Sequence, residues 1–186
     1  LKGERITAIS YCLKGIENHP LDRGVANALV TLGDIFQPID LAFSFQMYRQ
    51  TITMNPGHDL GYMKLCNLYY SLGQFDSALS LCSDAVRLNP DNSFNYENLG
   101  NVYLKMEQYD KAMTSYVKAL SINPNLPASH HNLALIYYFS KQYDLAIKHY
   151  KAAVSLGMTV NQEFQKTVEQ HIRGNPKKDG SHGNDG

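Results

Sequence analysis

Apolar and polar positions recur along residues 59–158 with two nested periods. In "FNYENLGNVYLK" (94–105), Tyr96, Leu99, Gly100 and Tyr103 follow one another at steps of three and four residues. At about 100° per residue they share one stripe of a helix. Phe94, Asn98, Asn101 and Lys105 form the opposite stripe. A second helix follows a short turn, with Ala112, Tyr116 and Ala119 on its apolar side. Pro124 then ends it, because proline cannot continue a helix interior. The unit recurs every 34 residues: Ala78, Ala112 and Ala146 align, as do Tyr69, Tyr103 and Tyr137. Leu65, Leu99 and Leu133 align too, and so do Phe75, Tyr109 and Tyr143. Pro90 and Pro124 keep the phase, while Met158 takes that slot in the third copy. The pattern predicts an all-α chain of tandem helix–turn–helix hairpins, each burying its apolar face against its neighbours.

The motif Tyr96-x2-Leu99-Gly100-x2-Tyr103, followed by Ala112-x3-Tyr116, Ala119 and Pro124, resembles the tetratricopeptide repeat (TPR). The resemblance implies a right-handed solenoid with a concave groove, with full repeats at 59–92, 93–126 and 127–160. Residues 22–58 read as a diverged repeat: Leu32-Gly33 and Phe36 stand in the right order, but the turn "QPID" is one residue short. In 1–21, Ala8, Cys12, Gly15 and Pro20 track Ala112, Tyr116, Ala119 and Pro124 at a constant offset of 104. That segment reads as the second helix of an incomplete repeat. Residues 161–173 read as a polar-faced capping helix, and 174–186, without a large apolar residue, as a disordered tail.

Asparagine competes with the helical backbone through its own amide, so Asn98 and Asn101 in mid-helix need a reason. In the resembled family this outer stripe lines the concave groove. Asn98 and Asn132 are 34 residues apart and so occupy equivalent places. Each amide offers a donor and an acceptor, enough to pair with one peptide unit of an extended chain. "NLGNV" and "NLALI" are similar to the asparagine ladder in the superhelix of the O-linked N-acetylglucosamine transferases, with Lys64 in place of the preceding rung. The expected partner-binding set is Lys64, Asn67, Asn98, Asn101, Lys105, His131 and Asn132 for polar contacts. Tyr70, Phe94, Tyr138 and Phe139, with Leu60 and Met63, would supply apolar ones. The same residues allow a plainer reading: solvated asparagines, or asparagines bonded to a neighbouring helix, and Tyr70 and Tyr138 leaning on an adjacent repeat. The carboxylate clamp of TPR co-chaperones fits poorly. Its slots hold Met63, Asn67, Asn98, Ala128 and Asn132, so both asparagines are present and all three cations are missing.

Composition narrows the function further. The 186 residues carry 17 Lys+Arg against 17 Asp+Glu, with a pI near 7.2, which argues against nucleic-acid binding. No run approaches the roughly 18 apolar residues of a transmembrane helix. Cys12, Cys66 and Cys82 form no CxxC pair and fall on packing positions, so they are expected to be buried, reduced thiols. Reduced thiols favour a reducing compartment and a cytoplasmic location, although a chain starting at Leu1 leaves room for a removed targeting segment. "SYVK" (115–118) has the Ser-x-x-Lys spacing without the surrounding motifs of that chemistry. His130 and His131 are adjacent, so they point about 100° apart on a helix and do not share an ion. No catalytic group, cofactor or metal is expected. The reading is a non-catalytic adaptor or scaffold that binds a peptide or protein segment in the groove. Two alternatives stand beside it. One is the substrate-recruiting arm of a larger, glycosyltransferase-like enzyme. The other is a homo-oligomer formed through the apolar side of helix 4–18 (Ile6, Ile9, Leu13, Ile16) in the incomplete repeat.

Overall fold

The computed structural model describes residues 23–159 together with Lys166, Thr167 and Gln170. Eight helices run in order through the described residues: α1 (Arg23–Phe36), α2 (Leu41–Met54), α3 (Asp59–Ser71), α4 (Phe75–Leu88), α5 (Ser93–Lys105), α6 (Tyr109–Ile122), α7 (Pro127–Phe139) and α8 (Tyr143–Ser155). No strand occurs among them, as the period predicts. The incomplete repeat at 1–21, Cys12, the face formed by Ile6, Ile9, Leu13 and Ile16, and the tail at 174–186 lie outside the described residues. So does most of the expected cap at 161–173.

The chain divides into two units, 1–122 and 123–186. In the first, α1 packs on α2, α3 on α4 and α5 on α6 as antiparallel hairpins. Successive hairpins join through α2 against α3 and α4 against α5, and the first helices also meet, α1 with α3 and α3 with α5. In the second unit, α7 packs on α8.

The helix ends show why the chain turns where it does. Asp40, His58 and Asn92 cap α2, α3 and α5, each accepting a hydrogen bond from a first-turn N–H (Phe43, Leu60 and Phe94, at 3.0, 3.3 and 3.1 Å). Within the last three hairpins the turn is made differently. Gly73, Glu107 and Lys141, one repeat apart, take positive φ of 73, 59 and 61°. The next N–H then reaches back to Tyr69, Tyr103 and Tyr137 carbonyls at 2.9, 2.9 and 2.8 Å. Only one of the three positions carries the residue that adopts this conformation without strain. The first hairpin lacks this turn and uses Pro38 and the Asp40 cap instead.

Each hairpin is held together at one shared slot, where the first helix meets the second. In the first and third hairpins a glycine lies under a buried tyrosine ring: Gly33 under Tyr48, Gly100 under Tyr116. A Cβ added at Gly100 would meet the Tyr116 ring at 2.7 Å. The last hairpin places buried Ala134 and Tyr150 at the same two positions. The second hairpin differs. Cys66 and Cys82, expected as separate thiols, are joined in a disulfide with Cα atoms 5.4 Å apart, so that expectation is corrected. The spacing of 34 placed both residues on facing apolar stripes, but it did not reveal that they occupy opposite sides of one contact. The corrected pairing also removes the support that reduced thiols gave to a reducing compartment.

Candidate functional site

Unit 1 carries seven of the expected groove residues on α3 and α5, and the structure divides them into two kinds. Lys64 and Asn101 are held by the scaffold. The Lys64 ammonium lies 2.7 Å from the Asp34 carboxylate of α1, a link between neighbouring hairpins. Asn101 Oδ1 accepts a 2.7 Å hydrogen bond from the Tyr116 hydroxyl, so this asparagine answers to its own second helix. In the first hairpin Asp34 has the equivalent role, accepting from the Tyr48 hydroxyl at 2.7 Å. Burial, and then the Asp34 carboxylate, push the Tyr48 hydroxyl far above the usual phenol range.

The second kind is uncommitted. Asn67 is exposed and Asn98 half-buried, and neither amide makes a hydrogen bond among the described residues. Phe94 is 53% exposed beside Asn98 on the same helix, and Lys105 is exposed at its end. Tyr70 is half-buried, its ring edge on Phe75 of its own hairpin at 5.8 Å, and burial raises its hydroxyl above the usual range. A separate cavity of about 510 Å³ lies between α5 and α6, lined by Tyr96, Leu99, Tyr103, Asp110, Lys111, Thr114, Ser115 and Lys118. Lys118 and Lys111 sit over the Tyr96 and Tyr103 rings at 5.9 and 5.4 Å.

Asp59 organises the junction between the second and third hairpins. Its carboxylate accepts from Asn92 Nδ2 at 2.9 Å and Asn95 Nδ2 at 2.8 Å. Burial pushes its pKa up, but hydrogen bonds from Asn95, Asn92 and Asn89 outweigh that and hold it below the usual carboxylate value. Sequence reading missed this cluster. Its one legible signal is the run of three asparagines at 89, 92 and 95 around the turn.

In unit 2, His131, Asn132, Tyr138 and Phe139 lie on α7. Phe139 is 78% exposed, the largest value among the exposed apolar side chains. Tyr138 packs edge-on against Phe139 and tilted against Tyr143, at 5.5 and 5.7 Å. His131 is half-buried, and burial lowers its pKa. Its neighbour His130 turns away, as the helix geometry requires, and meets His149 of α8 with Nδ1 atoms 2.9 Å apart. His130 Nε2 sits 3.0 Å from the Pro124 carbonyl, which only accepts, so that nitrogen carries a proton. With both rings neutral, His149 Nδ1–H donates to the bare His130 Nδ1. Burial first, then His130 and Lys148, lower the His149 pKa to about 4. Among the described residues no group of three or more His, Cys, Asp or Glu side chains is placed to hold a metal.

Family models described as "TPR repeat" (residues 100–139) and "Tetratricopeptide repeat" (61–92, 81–114 and 127–158) match in overlapping register across the hairpins built above. The chain belongs to the tetratricopeptide repeat family. Its fold is that of solved TPR proteins. MamA is 23% identical, with a TM-score of 0.66 over 89% of this chain and 93% of that one. Pseudomonas aeruginosa PilF is 18% identical, with a TM-score of 0.70 over 94% and 91%. TTC0263, a thermophilic TPR protein of Thermus thermophilus, is 22% identical, with a TM-score of 0.66 over 92% of both chains. At these identities the likeness is one of fold. No curated protein matches the sequence. Within the described residues of this TPR chain no helix is long and apolar enough to cross a membrane.

Proposed function

We propose that this TPR chain is a non-catalytic adaptor that holds an extended segment of a partner protein against its first helices. The observation that carries the reading is the pair of uncommitted amides, Asn67 on α3 and Asn98 on α5, beside the exposed Phe94 ring. A mid-helix asparagine without an intramolecular bond costs helix propensity relative to alanine and returns nothing to the fold. Its donor and acceptor suit a peptide unit, and an adjacent aromatic suits a partner side chain. In the other unit, Asn132, His131, Tyr138 and Phe139 of α7 form a second proposed contact set. Lys64 and Asn101 leave the direct-contact set and act as supports, through Asp34 and Tyr116.

Affinity capture from lysate tests the reading, with the wild type beside Asn98→Ala/Phe94→Ala and an outward-facing control, Val117→Ala. The expected result is a partner retained by wild type and control and lost by the double variant, whose melting temperature stays within a few degrees. Equal capture by all three would sink the proposal, as would a double variant that unfolds.

A further inference from the structure

The disulfide stands where the neighbouring hairpins place a tyrosine over a glycine. Gly33 and Tyr48, then Gly100 and Tyr116, hold the first and third hairpins by a buried ring whose hydroxyl is anchored on Asp34 or Asn101. In the second hairpin both elements of that lock are absent. Asn67, one repeat before Asn101, has no hydroxyl to receive, and the slot is closed by the bond between Cys66 and Cys82, which are 0% and 1% exposed. That bond closes a loop over a sequence separation of 16 and ties α3 directly to α4. Without it the slot keeps two small thiols where its equivalents keep a ring.

We propose that Cys66–Cys82 is a redox-sensitive staple whose reduction by a dithiol loosens the hairpin at residues 59–92 and leaves the tyrosine-locked hairpin at 93–122 intact. A thiolate of the dithiol attacks one cysteine sulfur and forms a mixed disulfide. Its second thiol, as thiolate, closes the reductant's own disulfide and expels the cysteine. Two electrons pass to the protein, and two protons end on Cys66 and Cys82. Because both sulfurs are buried, the attacking thiolate gains access only when the hairpin opens locally, so reduction is much slower than in the denatured chain. The reduced hairpin is the one that carries Asn67 and Tyr70, so its order reaches the proposed partner face. The inference itself rests on the slot and not on partner binding.

The test uses the full chain, refolded in a mixed glutathione buffer and isolated as the monomer. Denaturation without reductant followed by alkylation is expected to label one cysteine of the three, Cys12. Dithiothreitol is expected to lower the melting temperature by about 6–12 °C, the size set by a closed loop of this length. Amide exchange on reduction is expected to rise over 59–92 and stay constant over 93–122. A second variant keeps the idea open to failure: Cys66→Gly with Cys82→Tyr rebuilds the lock of the third hairpin next to Asn67, and its melting temperature is expected to ignore the reductant. Three labelled cysteines, a wild-type melting temperature indifferent to dithiothreitol, an equal response in the rebuilt variant, or exchange rising evenly along the chain would each overturn the proposal.

Discussion

The second and third hairpins answer one packing problem in two ways. Both must join a first helix to a second at a slot where the backbones approach closely. The third uses volume and a hydrogen bond: Gly100 makes room, Tyr116 fills it, and Asn101 takes the hydroxyl. The second uses a covalent bond between two small residues, Cys66 and Cys82. The choice has a consequence on the opposite stripe. Where tyrosine fills the slot, the following asparagine is consumed by the scaffold; where the disulfide fills it, Asn67 stays exposed and uncommitted. Two residues that occupy the same place in the repeat therefore have different work, and the difference is decided on the other helix.

Removing the ring should give the largest effect. Tyr116→Ala is expected to destabilise the first unit by about 3–5 kcal/mol in urea melts, since it empties a fully buried aromatic site and strands Asn101. A loss under about 1 kcal/mol would mean that the slot does not hold the hairpin. Next comes the staple. Cys66→Ala with Cys82→Ala is expected to cost about 3 kcal/mol by the same measurement. It should leave the third hairpin's amide protection unchanged if the two locks act independently. A third contrast lies between equivalent positions of later repeats, Tyr96 and Ser115 against His130 and His149. The folded state holds His149 neutral, with a pKa of about 4 against an ordinary 6.5, so the unfolded chain takes the proton first. That contribution is complete above about pH 6.5 and shrinks as pH falls towards 4. Discounted for the partial exposure of the ring, the loss is about 1–2 kcal/mol. His149→Gln should flatten that part of the pH profile, and an unchanged slope would refute the assignment. The smallest effect belongs to the turns. Glu107→Gly is expected to stabilise by about 0.5–1 kcal/mol by relieving a positive φ, while Gly73→Ala should cost a similar amount.

Much of the architecture was legible because the hairpin is a local object. Its helices follow from a 3.6-residue stripe, and its copies from a spacing of 34 that needs no knowledge of distant contacts. Even the short first turn showed in the letters: Asp34 and Tyr48 are 14 residues apart where Asn101 and Tyr116 are 15. The candidate site was only half legible. Periodicity assigned Lys64, Asn67, Asn98 and Asn101 to one stripe correctly, but a stripe says which way a side chain points and not what it meets. Lys64 meets Asp34, 30 residues earlier, and Asn101 meets a hydroxyl 15 residues later.

The sequence by itself determined that this is an all-α TPR chain, where its hairpins begin and end between residues 59 and 158, and which stripe of each first helix is left over from packing. Those properties are fixed by steps of three, four and 34 residues, and short-range geometry translates them directly into helices and turns. Only the tertiary structure decided which leftover polar groups are spent, that Cys66 and Cys82 form a bond, and that His130 faces His149 and turns away from His131. Those outcomes depend on atoms brought within about 3 Å across a helix pair or between hairpins, a distance that no period along the chain encodes.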